Sequence, residues 1–529
     1  MFCKVNLISR LKKIIFSILI LTISYWIQSV LRFQLIKPNL PTNTYELRSV
    51  LNSSSTIRPD GQQPCKVLKK TFDDGQSLKF CEDIFDWRSK GLIILSCDSN
   101  RHQWNTVMGP LKDSKPRGSL YVYDYKNSFL PSNHSDTNND DDQILIYPLI
   151  LKGFPTQRDF HPLGIEIAEK ANDDHEDSKS LTRMFVINHR GDRSVIEVFD
   201  LSLVNSLEGS GKYDDGKNGG LREIYSRVEN FVECDWVRTI SDDLIKTPNS
   251  IVSLQRNSVL ISNDHYFNRR SNPFLHILET WFALPITNVI QVEFKDQDTR
   301  PLDRGIEPPS LDELERLGVT ASKVINRLSF PNGISLSPNS RTLVISSSMT
   351  QTLRFYNLKN RLGSERTTEN DLWLRNFEYL GSLKLNFTPD NLVFSSDRQL
   401  IVAGHPHGLS LVRYVKDHAR RPLPGSWVSI VTRTDLNDET PTVEKHEEGE
   451  SKGQKEGKFL NVKTLKVQDV FRDNGSFFGT SSTALIINGS SLVHQQLQKD
   501  EKSQKAHGSH QKLVVSGLYQ VGLLECELY

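Results

Sequence analysis

Cysteine is scarce in this chain, with six among 529 residues and none in a Cys-x-x-Cys or Cys/His spacing, which argues against a zinc site. An excess of one charge is missing as well. The 65 Lys and Arg balance 64 Asp and Glu, so no global basic field draws the protein to nucleic acid. No basic-aromatic stretch does so locally. The Gly-x-Ser-x-Gly elbow of many serine hydrolases is absent. So is a sustained apolar stripe of helical period, which disfavours a Rossmann or α/β-barrel fold. Hydrophobic residues make up 37% against 24% charged, low for a compact globule, so polar inserts must dilute an ordinary core.

The long apolar run that does occur is residues 14–31 (IIFSILILTISYWIQSVL), uncharged and preceded by Arg10, Lys12 and Lys13. A run of about 18 residues just crosses a bilayer, and Tyr25 and Trp26 suit an interface. A cleaved signal peptide usually has a shorter apolar region and a small-x-small site; Ser24 and Ser29 are weak candidates and no Ala-x-Ala follows. An uncleaved transmembrane signal anchor is expected. It divides the chain into a cytosolic basic tail (1–13), the anchor (14–31), a linker (32–64) and a lumenal or extracellular body (65–529), secreted if the segment is cleaved.

Sequons at Asn52, Asn133, Asn386, Asn474 and Asn488 agree with that placement, and Asn52, Asn133, Asn474 and Asn488 are expected to be glycosylated. Cys65 opens the body and Cys526 nearly ends it. A bond between them would close almost the whole chain into a ring; two ordinary buried thiols are the alternative. Cys81, Cys97 and Cys234 show no evident pairing, and Cys3 falls on the cytosolic side.

From Cys65 onward, short β-rich runs alternate with turns rich in Asn, Asp, Gly, Pro and Ser. GLIILSC (91–97), SLYVYDY (119–125), RMFVINH (183–189), SVIEVFDL (194–201), SVLISND (258–264), RTLVISSS (341–348), TLRFYNL (352–358), QLIVAGH (399–405) and KLVVSGL (512–518) read as strands. A looser unit recurs: Pro-Asn-(Gly/Ser)-Ile or Pro-Asp-Asn-Leu, a strand, a turn and a second strand, in 247–267, 330–348 and 388–408. Such a repeat indicates propeller blades, with each Asn or Asp at the start of an innermost strand facing the central channel. Residues 136–143, 172–180, 209–220, 295–320, 436–458 and 496–510 are polar inserts, expected as surface loops. Residues 311–317 could form a helical turn, and 274–286 an amphipathic helix.

The strings SNDHYF (262–267), FPNGISLSP (330–338), PDNLVF (389–394), GHPHG (404–408) and LLECEL (523–528) occur in the order of the blade motifs of the paraoxonase/arylesterase family, which the body from about Cys65 to Cys526 resembles. That resemblance implies an all-β, six-bladed β-propeller clasped by a Cys65–Cys526 disulfide. It implies a calcium ion in the channel held by Glu82, Asn249, Asn332, Asp390 and Asn391, a set of hard oxygen donors that suits calcium on chemical grounds. A second calcium would use Asp83 and the carbonyl of Ile165, but its third position is Ser250, an uncharged and poor ligand.

The family's proton-transfer histidine pair is only half present. FHPLGI (160–165) places Leu163 where the first imidazole stands in the family, whereas VINH (186–189) supplies the second as His189. His161, two residues before the gap, would share a face with position 163 in an extended strand, although a surface histidine is the plainer expectation. His265 and His405 could line the channel or be structural. The implied function is calcium-dependent hydrolysis of lactones or aryl esters, the ion polarising the carbonyl while Glu82, Asp390 or His189 (through a water) takes the proton. A calcium-stabilised propeller that binds a ligand or protein without turnover is the alternative. The expected partners are a small ester or lactone and, through the N-terminal segment, a membrane.

Overall fold

The short β-rich runs form six sheets in a computed structural model, which describes residues 12–25, 28, 65–72, 75–126, 145–169, 182–205, 230–296, 310–358, 377–433, 461–489 and 511–528. The first strand, β1 (Cys65–Leu68), stands apart from its neighbours in sequence. Blade one then holds β2 (Cys81–Trp87), β3 (Leu92–Cys97), β4 (Ser119–Asp124) and β5 (Ile146–Pro148). Blade two has β6 (Leu151–Lys152) at its outer edge and β7 (Pro162–Ala168), β8 (Thr182–His189), β9 (Ser194–Asn205) and β10 (Asn230–Ile240). Blade three comprises β11 (Pro248–Gln255), β12 (Ser258–Asn263), β13 (Thr287–Phe294) and β14 (Val319–Leu328). Blade four comprises β15 (Pro331–Leu336), β16 (Thr342–Ser347), β17 (Thr352–Leu358) and β18 (Phe377–Lys384). Blade five follows with β19 (Thr388–Phe394), β20 (Leu400–His405), β21 (Ser426–Arg433) and β22 (Leu465–Asp473). Blade six has β23 (Ser481–Asn488), β24 (Gln511–Gly517) and β25 (Leu523–Leu528), with β1 as its outermost strand.

The inner strands β2, β7, β11, β15, β19 and β23 touch in that order, and β23 returns to β2, so the expected six-bladed propeller closes on itself. Its apolar cores lie between blades. Period-two alternation sends Ile94 of β3 toward blade two, into a cluster with Ile165 and Met184, while Ile93 and Leu95 pack on Leu485 and Val514 of blade six. Second strands, covered on both faces, are therefore continuous apolar runs such as LIILSC.

One disulfide seals the ring and a second lies within blade one. Cys65 pairs with Cys526 across β1 and β25 and is bonded to it, uniting residues 461 apart in sequence. Cys81 and Cys97, which showed no evident pairing in the sequence, face each other across β2 and β3 and form a second disulfide. The signal was in register rather than spacing: the two lie at facing ends of one β-hairpin. Cys234 is buried and free.

Three helices interrupt the blades: α1 (Pro273–Phe282) between β12 and β13, α2 (Leu311–Arg316) before β14, and α3 (Gly408–Lys416) between β20 and β21. The first two fall where the sequence suggested helix. Residues 12–25 are also helical, with Tyr25 stacked 6.3 Å from Phe282 of α1. Among the described residues no helix is long and apolar enough to cross a membrane, so the expected 14–31 anchor is not seen as one spanning helix. The linker 32–64, Cys3, Asn52, Asn133 and five of the expected inserts (136–143, 172–180, 209–220, 436–458 and 496–510) lie outside the described residues.

Candidate metal centre and active site

Every innermost strand loses its register at its beginning. The break falls between Cys81 and Asp83, Pro162 and Ile165, Pro248 and Ser250, Pro331 and Ile334, Pro389 and Leu392, and Ser481 and Ala484. Irregularities of this kind re-aim a side chain, and the residues they release are Glu82, Leu163, Asn249, Asn332, Asp390 with Asn391, and Ser482 with Thr483. Four of these strands begin at or next to proline, which has no ladder donor to lose there. Crowding at the axis explains Gly333, where a Cβ would sit 2.6 Å from the Cα of Asn391.

The polar side chains so released meet at one end of the channel. Asn332 Nδ2 donates to Asp390 Oδ1 at 2.5 Å, and His405 Nε2 lies 3.0 Å from Asp390 Oδ2. Asn391 Nδ2 donates to Glu82 Oε1 at 3.0 Å and to Thr483 Oγ1 at 2.9 Å. The amide nitrogens of Asn332 and Asn391 are thus engaged, while Glu82 Oε2, Asn249 Oδ1, Asn332 Oδ1 and Asn391 Oδ1 are buried without any partner. Burial, then the charges of Asp83 and Asp390, hold the Glu82 carboxyl well above the usual carboxylate range.

Asp83 and Ile165 are also brought together, but through the Ile165 amide, which donates to Asp83 Oδ2 at 2.9 Å. Asp83 Oδ1 accepts from the Ile84 amide and the Thr483 hydroxyl, so both of its oxygens are occupied by donors. Burial raises the Asp83 carboxyl to about 6. Ser250 Oγ accepts from the Ile334 amide. These residues knit the inner strands together.

Above the oxygen cluster lies a cavity of about 500 Å³, a volume suited to a small organic ligand. Glu82, Asn249, Asn332, Asp390 and His405 line it, with apolar wall from Leu163, Met108, Phe330, Trp281, Leu411 and Val412. α1 and α3 supply much of that wall; α3 and Arg101, also on the wall, were not singled out from the sequence because nothing local marks them. His265, left open as channel-lining or structural, reaches the cavity and is also fixed, with Nδ1 at 2.9 Å from Asp264 and Nε2 at 2.7 Å from Thr280.

His189 is placed differently. It is buried behind the wall, its Nε2 2.8 Å from the carbonyl of Pro248 and its Nδ1 against the Thr106 hydroxyl. Burial, then the charge of Arg270, lower its pKa to about 3 and keep the ring neutral. His161 corrects the surface expectation: it is buried, with Nδ1 2.9 Å from Asp98 Oδ2 and Nε2 2.7 Å from the Ser114 carbonyl. The register break between Pro162 and Ile165 interrupts the two-residue alternation, so sharing a face with Leu163 does not bring it to the cavity.

Among the described residues there is no group of three or more His, Cys, Asp or Glu positioned to hold a metal. Three of the converging residues are asparagines, which such a grouping does not include.

No family model matches the chain. Among curated proteins it is similar to serum paraoxonase/arylesterase 2 of Bos taurus, 22% identical over 239 residues that cover 45% of this chain and 49% of that protein. The Canis lupus familiaris protein of the same name is equally similar, with the same 22% over 239 residues. The chain therefore spans about half the length of the curated relatives it matches. Among solved structures, a gluconolactonase from Xanthomonas campestris is 12% identical, covering 93% of this chain and 98% of its own, with a TM-score of 0.36.

Proposed function

We propose that this propeller is a lactone or ester hydrolase that takes calcium at the end of its channel. The observation that supports the reading best is the set of four unpartnered buried oxygens, on Glu82, Asn249, Asn332 and Asn391, contributed by four different blades. Leaving such groups unbonded costs about 1–3 kcal/mol each, and a hard cation with six to eight oxygen ligands removes that cost. Asp390 completes the set and brings the second carboxylate. The residue types and their orphaned oxygens fit calcium; the second group fits an ion poorly, because the side-chain oxygens of Asp83 and Ser250 already accept from amides and a hydroxyl.

When bound, calcium supplies positive charge against a substrate's carbonyl oxygen. The chain's own residues do the rest. Asp390 fixes the His405 ring through Nε2, and the Nδ1 of this cavity-lining residue, buried without a partner, is left as the acceptor for a proton. Leu163, Met108, Trp281 and Leu411 hold the apolar part of the substrate and limit water. His189, neutral and enclosed, supports the Pro248 carbonyl beside Asn249.

Two disulfides and the similarity to serum paraoxonase/arylesterase 2 support placement outside the cytosol, in the secretory pathway. Attachment through the N-terminal segment belongs to this reading, and intact-mass measurement of the mature protein tests whether that segment is retained.

The functional test is a panel of lactones and aryl esters assayed with and without calcium, beside Asp390→Ala. Hydrolysis that needs both calcium and Asp390 is expected, together with a lower melting temperature after chelation. Leu163 in place of an imidazole favours a second reading, ligand binding without turnover. Equal silence of wild type and Asp390→Ala across the panel would put that reading first. Equal activity of the two would place hydrolysis elsewhere.

A further inference from the structure

Arg101 is a buried cation that forms no ion pair with a carboxylate among the described residues, although Glu82 is near enough for the two charges to interact. Its side chain lines the cavity and the residue is 4% exposed, yet Nε has no hydrogen-bond partner. Its side-chain contact is Nη2 to the carbonyl of Pro162, at a marginal 3.5 Å. Asp98, near in sequence, is already committed, with Oδ1 to the Asn100 amide and Oδ2 to His161. Glu82 shares the cavity with Arg101, but its Oε1 goes to Asn391 and its Oε2 has no partner. The two opposite charges face one space without pairing.

The rest of the lining has the same bias. Arg101, Arg269, Arg413 and Lys416 face Glu82 and Asp390, the two carboxylates assigned above to the cation. Arg269 is tied to the Val107 and Met108 carbonyls rather than to a carboxylate. A guanidinium out of water and unpaired is costly, whereas a carboxylate in its planar fork restores charge and hydrogen bonds together. The surrounding wall is apolar, which suits a carboxylate carried on a hydrocarbon frame.

We propose that Arg101 anchors a carboxylate on the substrate, so that the cavity selects carboxylate-bearing lactones or esters over neutral ones. The words lactone and ester rest on the hydrolase reading; the anion site does not. Calorimetric titration with octanoate and with octanamide separates the two, using full-length protein stripped of metal by a chelator that is then removed. Removing the metal keeps a bound cation from contributing to the affinity for the carboxylate. Octanoate should bind at least tenfold more tightly than octanamide. That preference should largely persist in Arg101→Lys and vanish in Arg101→Leu, with unchanged melting curves showing that each variant is folded. Should the variants fail to fold, the wild-type comparison stands alone. Equal affinity of the two ligands, or a preference that survives Arg101→Leu, overturns the proposal.

In parallel, kcat/KM is measured for one lactone ring bearing either a carboxylate or its primary amide. The ratio should favour the carboxylate by tenfold or more in wild type and fall toward one in Arg101→Leu. Octanoate preference without any turnover removes the hydrolase reading and leaves the anion site. Turnover of both lactones with no preference in either assay does the reverse.

Discussion

His405 Nε2 lies 3.0 Å from Asp390 Oδ2, while Nδ1 of the same ring, in a residue of the cavity lining, is buried with no partner. A carboxylate that holds one imidazole nitrogen leaves the other positioned for proton transfer. His405→Gln keeps a donor for Asp390 but cannot accept the proton, so turnover should fall a hundredfold or more, the usual scale of general base catalysis. Calcium affinity should change only a few-fold, whereas Asp390→Ala should abolish both. Steady-state kinetics beside calcium titration reads the two effects separately. Wild-type turnover in folded His405→Gln would remove this ring from the reaction.

The two disulfides should contribute unequally. Cys65 and Cys526 are 461 residues apart, Cys81 and Cys97 only 16. In the chain-entropy model that difference in loop length favours the longer closure by about 3 kcal/mol. Cys65→Ser/Cys526→Ser should therefore lower the urea midpoint more than Cys81→Ser/Cys97→Ser. The short bond has a local effect instead, because Cys81 directly precedes Glu82. Its removal should weaken calcium binding beyond its effect on unfolding, and titration of both double variants decides it.

Acid should loosen the fold through His102. Its ring stacks 3.9 Å from His418 and 4.9 Å from Tyr519, and its Nδ1 is buried without a partner. Burial first, then the charges of His418, Lys79 and Arg101, lower its pKa from 6.5 to about 4. Between those values the unfolded chain binds a proton that the folded ring refuses, so stability is present above pH 6.5 and is lost as pH falls toward 4. The melting temperature should drop from pH 7 to pH 5, and less steeply in His102→Phe, which keeps the stack. Parallel slopes for the two proteins would clear His102.

What the sequence made legible follows from burial. The second strands β3, β12 and β20 are wholly buried and carry the apolar runs LIIL, VLI and LIVA, which mark them as strands. Outer strands such as β14 and β22 mix exposed and covered positions and gave no clean period. The Pro-Asn phrases located the inner strands of blades three to five, where the register break needs a short polar residue after proline. Blade six begins SSTALIIN, without that phrase, and its Thr483 contact to Asn391 went unseen. The depth of His189 was equally hidden, since VINH reads the same whether the ring faces a cavity or the carbonyl of Pro248. Arg101 lies in a turn with no period at all, and only the fold brings it opposite Glu82.

Leu163 offers the sharpest test of whether proton acceptance limits this site. It is released by the register break in β7, lines the cavity, and packs with Phe185 and Ile187 between blades two and three. Leu163→His exchanges an apolar contact for an imidazole and should cost about 1–3 kcal/mol of stability, the range for placing a polar group in such a position. Arg101, whose Nη2 lies 3.5 Å from the carbonyl of Pro162, the residue just before, favours the neutral form of the new ring through its positive charge. A neutral imidazole beside the oxygen cluster can take a proton from water. Calcium-dependent hydrolysis should therefore rise roughly tenfold near pH 7, below the full scale of general base catalysis because the ring has no fixed orienting partner. The gain should disappear as pH drops and the new ring becomes charged, adding a second acidic limb to the one that His405 gives wild type. A pH–rate profile of both proteins at saturating calcium resolves that limb. A lower melting temperature with no change in rate at any pH would mean that another group already takes the proton, and His405 would then carry the step alone.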